Sequence, residues 1–500
     1  MIALTVAQIA EIVGGRLADI SPADAAASVV TGTVEFDSRR VTPGGLFLAL
    51  PGARADGHDH AAAAVAAGAV AVLAARPVGV PAIVVEPVAS ESRSGALEHD
   101  DAVGSGAAVL GALAELAAAV SAELVAKGLT IVGVTGSAGK TSTKDMLAAV
   151  LAPLGRVVAP PGSFNNELGH PWTVLRADEN TDFLVLELSA RHRGNIAALA
   201  AIAPPQVAVV LNVGTAHLGE FGSREAIAET KAELAQAVPE SGVVVLNVDD
   251  PAVAAMAGTT AARVVRVARS PGADVWAGPV ELDALARPRF ALHAGDGPAV
   301  EVALGVSGDH LVSNALCAAA VALECGATPQ QVADALTGAG PVSQHRMQVS
   351  NRADGVTVID DSYNANPDSM RAALQALAWI SRGENPFASR RSWAVLGEMA
   401  ELGEDAISEH DRIGRLAVRL DVSRLIVVGV GRSMGAMLHG AVMEGSWGAE
   451  ATAVADVDAA LALLRAELEP GDVVLVKASN SAGLTRLADA LTGHESGDRR

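Results

Sequence analysis

The run Gly133-Val-Thr-Gly-Ser-Ala-Gly-Lys-Thr-Ser-Thr143 constrains the fold more than any other stretch. An apolar, β-like segment, Leu129-Thr-Ile-Val-Gly-Val134, leads into it. A helix-like segment, Lys144-Asp-Met-Leu-Ala-Ala-Val-Leu151, leads out. Strand, glycine-rich turn and helix, in that order, are the setting of a phosphate-binding loop. Glycines let the backbone approach phosphate oxygens. The unpaired N–H groups at the helix start carry roughly half a positive charge. Along this loop Gly136, Ser137, Ala138, Gly139 and Ser142 would surround the phosphates. Lys140 can reach the β- and γ-phosphates, and the Thr141 hydroxyl can ligate Mg²⁺. The longer pattern G-x-x-x-x-G-K-[ST] requires glycine where Val134 stands, and this chain has the shorter T-G-x-x-G-K-T. A chance Gly-Lys-Thr turn is the competing reading, and the flanking strand and helix weigh against it.

Such a loop belongs to a larger assembly, because 500 residues exceed one core and about three domains are expected. Alanine dominates the hydrophobic half of the chain and aromatics make up only 3%, which points to a helix-rich α/β enzyme. The net charge of −21 argues against nucleic acid or an anionic membrane surface as partner. Cys317 and Cys325 lie in an apolar stretch without metal-ligand spacing and read as reduced, buried thiols. The start, Met1-Ile-Ala-Leu-Thr-Val, lacks a cationic region, so no signal peptide is expected. The apolar run Ala61 to Ala75 is broken by Gly68 and falls short of the roughly 20 residues of a span. A cytoplasmic monomer without membrane insertion is the expectation.

The fold class expected is α/β in three domains. Residues 1–105 form a small α/β domain with its linker, 106–340 a central P-loop-type, mostly parallel sheet, and 341–500 a Rossmann-like domain. Thr5 can cap a helix to Val13. The segments 34–40 and 41–50 follow, and 89–105 has linker composition. A helix from about Ala107 to Ala126 leads to the phosphate loop. Central strands are expected at 129–134, 156–159, 183–188, 207–211 and 243–247, with short irregular strands over 273–305. Buried strands at 356–362, 392–397, 424–429 and 472–477 make the third domain. Gly493 to Arg500 is expected to fray.

Ligands of such sheets gather at the carboxyl ends of the strands. Glu187 ends one strand run, His217 follows the next, and Lys231 lies in the helix after it. Each alone also reads plainly, as a strand-end charge, a loop histidine and a solvated helix residue. A carboxylate and an imidazole on adjacent strand ends beside a phosphate loop suit Mg²⁺. Asp37-Ser38-Arg39 offers an anion-binding hydroxyl and guanidinium, although an ordinary capped turn looks the same.

Taken together, these residues resemble the Mur ligase family over nearly the whole chain. Thr135-Gly-Ser-Ala-Gly-Lys-Thr141 is similar to that family's short phosphate loop. Four further stretches carry the likeness to its D-alanyl-D-alanine-adding members: Gly162-Ser-Phe-Asn-Asn-Glu-Leu-Gly169, His345-Arg-Met347, Asp361-Ser-Tyr-Asn-Ala-Asn-Pro367 and Leu396-Gly-Glu-Met-Ala-Glu-Leu-Gly403. Asp37-Ser-Arg39 and Asp56-Gly-His58 are similar to the uridine-nucleotide end of that subgroup. One departure stands out: Lys477-Ala-Ser-Asn480 replaces the usual Lys-Gly-Ser-Arg.

The resemblance implies that the first domain holds a UDP-sugar, the second ATP, and that the third closes over both with the amine substrate. The implied reaction phosphorylates the terminal carboxylate of UDP-N-acetylmuramoyl-tripeptide, and the amino group of D-alanyl-D-alanine then displaces phosphate. Two Mg²⁺ ions are implied, the first on Thr141 and Glu187, the second on His217 and a carbamylated Lys231. Lys140, His217 and Lys231 become the catalytic set. Asn314 is similar to an adenine contact, Arg346 to an arginine at the γ-phosphate, and Asp361 to a ribose-binding carboxylate. Ser38, Asn165, Asn166, Glu167, Tyr363, Asn364 and Asn366 are the implied substrate contacts. The alternatives are a sister ligase adding the third amino acid, a folylpolyglutamate synthase, a P-loop motor or switch ATPase, and a non-catalytic nucleotide binder. Dependence of ADP release on both condensing substrates discriminates among them. Whether diaminopimelate or lysine ends the tripeptide is not legible in the chain.

Overall fold

Every long apolar run of the chain becomes a strand or helix of one of three αβ layers. The computed structural model describes residues 1–52, 55–87, 101, 103–215, 218–383, 390–445 and 451–493. In the first layer, the strands run in the order Arg16–Ala18, Ala82–Val84, Ala69–Ala74, Gly45–Leu48, Val34–Glu35. All neighbours are parallel except the first pair. Thr5 caps the helix Val6–Ile12 through a reciprocal box with Gln8, as the sequence predicts. The run Ala61 to Ala75 divides into the helix Ala61–Ala66 and the strand Ala69–Ala74. The segment 34–40 opens with the short strand Val34–Glu35. The strand ends at Glu35 because Asp37 caps a tight turn, Ser38–Arg40, by accepting the Arg39 N–H at 3.0 Å.

The second layer is a ten-stranded sheet. Its parallel part runs Val275–Ala277, Arg263–Ala268, Val243–Asn247, Val207–Val210, Thr130–Thr135, Phe183–Glu187, Val157–Val158. The phosphate-loop strand, Thr130–Thr135, lies between Val207–Val210 and Phe183–Glu187. The irregular strands expected over 273–305 are antiparallel additions to the same sheet, Pro288–Ala294 pairing with Val275–Ala277, Glu281–Leu282 and Val300–Ala303. The third layer has six strands, with Thr357–Asp360, Val473–Lys477, Ser392–Leu396, Arg424–Val428 and Ala451–Val454 parallel, and Gln348–Asn351 antiparallel at one edge.

The helix Ser105–Ala126 joins the first two layers. Asp101 accepts the N–H groups of Gly106 and Ala107 at its start. Its apolar residues Leu113, Leu116 and Val120 share one core with Ile9 and Leu73 of the first layer and Leu184 and Leu186 of the second. Among the described residues it is the one helix long and apolar enough to cross a membrane, so the apolar run at Ala61 to Ala75 is not the segment that comes nearest to a span. More than half of its most apolar window is buried against the protein, as expected of a core helix. The opposite face of the central sheet is covered by Lys140–Leu151, Leu311–Glu324 and Pro329–Gly338. Both cysteines are free; burial pushes Cys317 up to about 12 and Cys325 to about 11. The expected linker lies largely outside the described residues, as does the chain end beyond Gly493.

Candidate active site

The glycine-rich loop emerges from a strand buried from Ile131 onward and starts a twelve-residue helix, Lys140–Leu151. Gly139 has φ +86°, and a Cβ there would meet the Asn314 amide at 2.6 Å, so both conformation and space require glycine. The loop is held open from below. Asn212 accepts the Ala138 N–H at 2.9 Å and donates to the Ala138 carbonyl at 3.0 Å. The Ser137 hydroxyl accepts the Gly214 N–H at 2.9 Å. Lys140 folds back to donate to the Gly136 carbonyl at 2.8 Å.

An oxygen cluster sits one strand away. The Thr141 hydroxyl donates to the Glu187 carboxylate at 3.0 Å and lies 2.6 Å from the Ser163 hydroxyl. Asn165 donates to the other Glu187 oxygen at 2.6 Å, and Ser189 anchors Asn165 by two hydrogen bonds. Glu187 is 2% exposed. A hydroxyl and a buried carboxylate touching at a strand end are hard oxygen donors of the kind Mg²⁺ takes, so the donor set fits that ion. Among the described residues no group of three His, Cys, Asp or Glu side chains assembles. His217 lies outside the described residues. Lys231 is buried on the helix Arg224–Gln236, and among the described residues no carboxylate pairs with it. Burial, helped by the charge of Lys140, brings its amine down to about 7.

The third layer supplies the opposing wall. Arg346 lies over the Tyr363 ring at 4.2 Å and donates to the Ser163 hydroxyl at 2.9 Å and to that of Thr141 at 3.4 Å. Its neighbours His345 and Met347 have φ +60° and +48°, a region unfavourable for side chains of that size. Asp361 accepts the Met347 N–H and pairs with the buried ammonium of Lys477, which also donates to the Asn364 carbonyl at 2.8 Å. Asn366 caps the helix Pro367–Arg382 and extends its amide to the Ser137 carbonyl at 3.5 Å. Between the walls lies a cleft of about 480 Å³, lined by Ala138, Gly139, Ser142, Asn314, Arg346 and Asp361 among others. The Asn314 amide nitrogen and the Arg346 Nε are buried with no hydrogen-bond partner among the described residues. Buried donors normally have acceptors, and a nucleotide provides them, so these residues fit ATP.

Other expected residues have local partners. The Asn166 side chain accepts the Gly169 N–H at 2.9 Å, in the turn that leads into the helix Gly169–Val174. Glu167 is half-buried beside it, and Asn364 is exposed, its carbonyl oxygen accepting the Ala365 N–H. Asp37 pairs with Arg39, which holds its carboxyl below the usual range. His58 is buried, bonded to Asp56 at 2.6 Å and to the Ala75 N–H at 3.1 Å, which makes it a strut of the first domain. Ser38 is half-buried and follows Phe36, whose ring packs on Trp172 at 5.6 Å; Phe164 meets the same indole at 4.7 Å. Trp172 also donates to the Val34 carbonyl at 2.7 Å. The segment leading to Ser38 is thereby fixed against the loop that carries Asn165.

Sequence reasoning missed Asn212, Arg224, Asp250, His310 and Asp368, all of which line the cleft. Asn212 had a legible signal, an amide directly after a buried strand in Leu211-Asn-Val-Gly. Asp250 and Arg224 had none; they meet at Val213, whose N–H goes to Asp250 and whose carbonyl accepts from Arg224.

Three family models match the chain: Mur ligase family, catalytic domain, at residues 32–121; Mur ligase middle domain at 134–322; and Mur ligase, glutamate ligase domain, at 345–480. The UDP-N-acetylmuramoyl-tripeptide–D-alanyl-D-alanine ligase of Mycobacterium tuberculosis is 76% identical over 507 residues, covering 99% of each chain. A crystal structure of MurF from Acinetobacter baumannii superposes with a TM-score of 0.79 at 28% identity, covering 98% of this chain and 99% of that one. MurF ligase from Thermotoga maritima in complex with ADP gives 0.72 at 28% identity, over 93% and 98%. With family models over most of its length and such a relative across almost all of it, this chain belongs to the Mur ligase family.

Proposed function

We propose that this protein is the ATP-dependent ligase that joins D-alanyl-D-alanine to UDP-N-acetylmuramoyl-tripeptide in peptidoglycan precursor synthesis, releasing ADP and phosphate. The observation that carries this reading is the 76% identity, over 99% of both chains, to a ligase of that name. The tripeptide carboxylate is a poor electrophile, and transfer of the γ-phosphoryl group to it creates an acyl phosphate with phosphate as leaving group. The amine of D-alanyl-D-alanine then attacks the acyl carbon, the C–O bond to phosphate breaks, and an amide forms.

Residues of this chain have definable work in that sequence. We assign 1–105 to the UDP-sugar, 106–340 to ATP and 341–500 to closure over both, with Ser38 towards the UDP end. Lys140 and Arg346 offset the repulsion between two anions brought together. Asn314 and Asp361 orient the nucleoside, and Asn165, Asn166, Glu167, Tyr363, Asn364 and Asn366 face the substrates. Thr141 and Glu187 would hold one Mg²⁺ and His217 and Lys231 a second; bound there, Mg²⁺ supplies charge neutralisation of the phosphates. Lys231 fits a ligand only as a carbamate, because an ammonium has no lone pair to offer. Its burial and its amine near 7 support that form, since carbamate formation needs the neutral amine.

The test is ADP release with each substrate omitted in turn, with mass analysis of the product. Release that needs both substrates and yields the amide is expected. ATP turnover independent of D-alanyl-D-alanine would overturn the reading in favour of a simple ATPase.

A further inference from the structure

We propose that Lys144, acting with Asp145, is a positioning residue that fixes the linker between the second and third domains so that Arg346 meets the phosphate site. This rests on the reading of Arg346 as a phosphate contact.

Lys144 stands one helical turn beyond Lys140 and is only 2% exposed. Its ammonium has three N–H donors, and all three are used. One goes to Asp145 at 2.5 Å, one to the Pro160 carbonyl at 3.0 Å and one to the Ser343 hydroxyl at 3.2 Å. The other oxygen of Asp145 accepts the Ser343 N–H at 3.1 Å. The pair therefore grips Ser343 through both its backbone and its side chain.

The two segments held by Lys144 are the two that meet at Arg346. Pro160 lies three residues before Ser163, and Ser343 three residues before Arg346. At their tips Arg346 donates to the Ser163 hydroxyl at 2.9 Å. The two bases and the two tips close a ring around the start of the phosphate-loop helix. His345 lies within that ring and Met347 just beyond it, both with left-handed backbone. Such backbone persists only where its surroundings over-determine it, and the clamp at Ser343 supplies one fixed end. Lys144 reaches neither the cleft lining nor the oxygen cluster, so its influence on the reaction passes through Arg346.

The experiment is a double-mutant cycle on the full chain with Lys144→Met, Arg346→Ala and the pair, with Ser343→Ala beside them. Lys144→Met should lower kcat by roughly 10²-fold, the scale of a small misplacement of a reacting group. ADP affinity and the KM for the UDP-substrate should hold. Adding Lys144→Met to Arg346→Ala should cost nothing further. Ser343→Ala, which strands no buried charge, should show a smaller loss in the same direction and decides the matter if Lys144→Met does not fold. Losses that multiply in the double variant, or wild-type kcat in both single variants, would overturn the clamp and leave the ligase assignment standing. A wild-type protein that forms no amide would instead overturn the functional reading. Amide exchange over 343–347 then decides the clamp alone: faster exchange in Ser343→Ala supports it, and unchanged exchange refutes it.

Discussion

Gly219 lies in the short helix Leu218–Phe221 of the central domain and touches Gly403 of the third domain, backbone against backbone. A Cβ at Gly219 would stand 2.6 Å from the Gly403 nitrogen and 2.8 Å from its Cα, where ordinary contact begins at 3.4 Å. Backbone atoms cannot swing aside, so Gly219→Ala must open this seam by ~0.8 Å at the point of contact. Alanine is otherwise welcome, favouring helix over glycine by up to about 1 kcal/mol. The variant should fold and melt like the parent. Catalysis is another matter, because a misplacement of about 1 Å costs on the order of 10²-fold in rate. Turnover should therefore fall by roughly 10–10²-fold, with a much smaller loss of ADP affinity. Phosphate release at saturating substrates measures the first and calorimetry the second. A stable Gly219→Ala protein with wild-type kcat would refute the reasoning and show that the seam is not closed when the chemistry occurs.

Lys140→Ala should lower turnover by roughly 10²–10³-fold with little change in melting temperature, and wild-type turnover with intact ATP affinity would remove the assignment. Lys231→Ala should be nearly inactive and partly restored by a small carboxylic acid in the buffer; full activity in CO₂-free buffer would rule out the carbamate. His170 is fully enclosed, and burial, only partly offset by its approach to the Glu187 and Leu199 backbone, pushes its imidazole down to about 4. Between that value and the ordinary 6.5 the unfolded chain takes up a proton that the native protein refuses. The stability His170 allows above pH 6.5 therefore drains away as pH falls towards 4, by up to ~3 kcal/mol. His170→Leu should lose less stability than the parent between pH 7 and 4.5, as urea midpoints would show; equal losses would refute this.

Much of the fold was legible because local signals and burial agree. Thr5 with Gln8 announces a capped helix, and the runs around Val132, Val185, Val209 and Val245 are β-branched and bounded by turns, as buried parallel strands are. The phosphate loop was legible since its glycines answer a local geometric demand. The plain reading of Asp37-Ser38-Arg39 as a capped turn is what the structure has: Asp37 redirects the backbone within two residues of Glu35. Asn166 resembled a substrate contact and also bonds the backbone of its own turn, a local use that amide side chains often have. The remainder of the cleft was hidden for a different reason. Arg224, Asp250, His310 and Asp368 come from four separate elements, and nothing in the sequence around each one records its neighbours in space.

The two joints of the molecule are made of different matter. The first domain meets the second through Phe36, Phe164 and Trp172 and the shared core of the helix Ser105–Ala126. Contacts between the third domain and the second include a half-exposed ion pair of Arg191 with Glu401 at 3.0 Å and the Trp379 indole on the Asp283 carbonyl, beside the buried Ala286, which joins the third domain's core. Dissolved salt screens exposed charges within a Debye length of about 8 Å at physiological strength and leaves apolar contact intact or firmer. Ionic strength thus addresses one joint and spares the other. In concentrated salt the exposed part of the third domain's joint should therefore loosen first, while the joint between the first two domains holds.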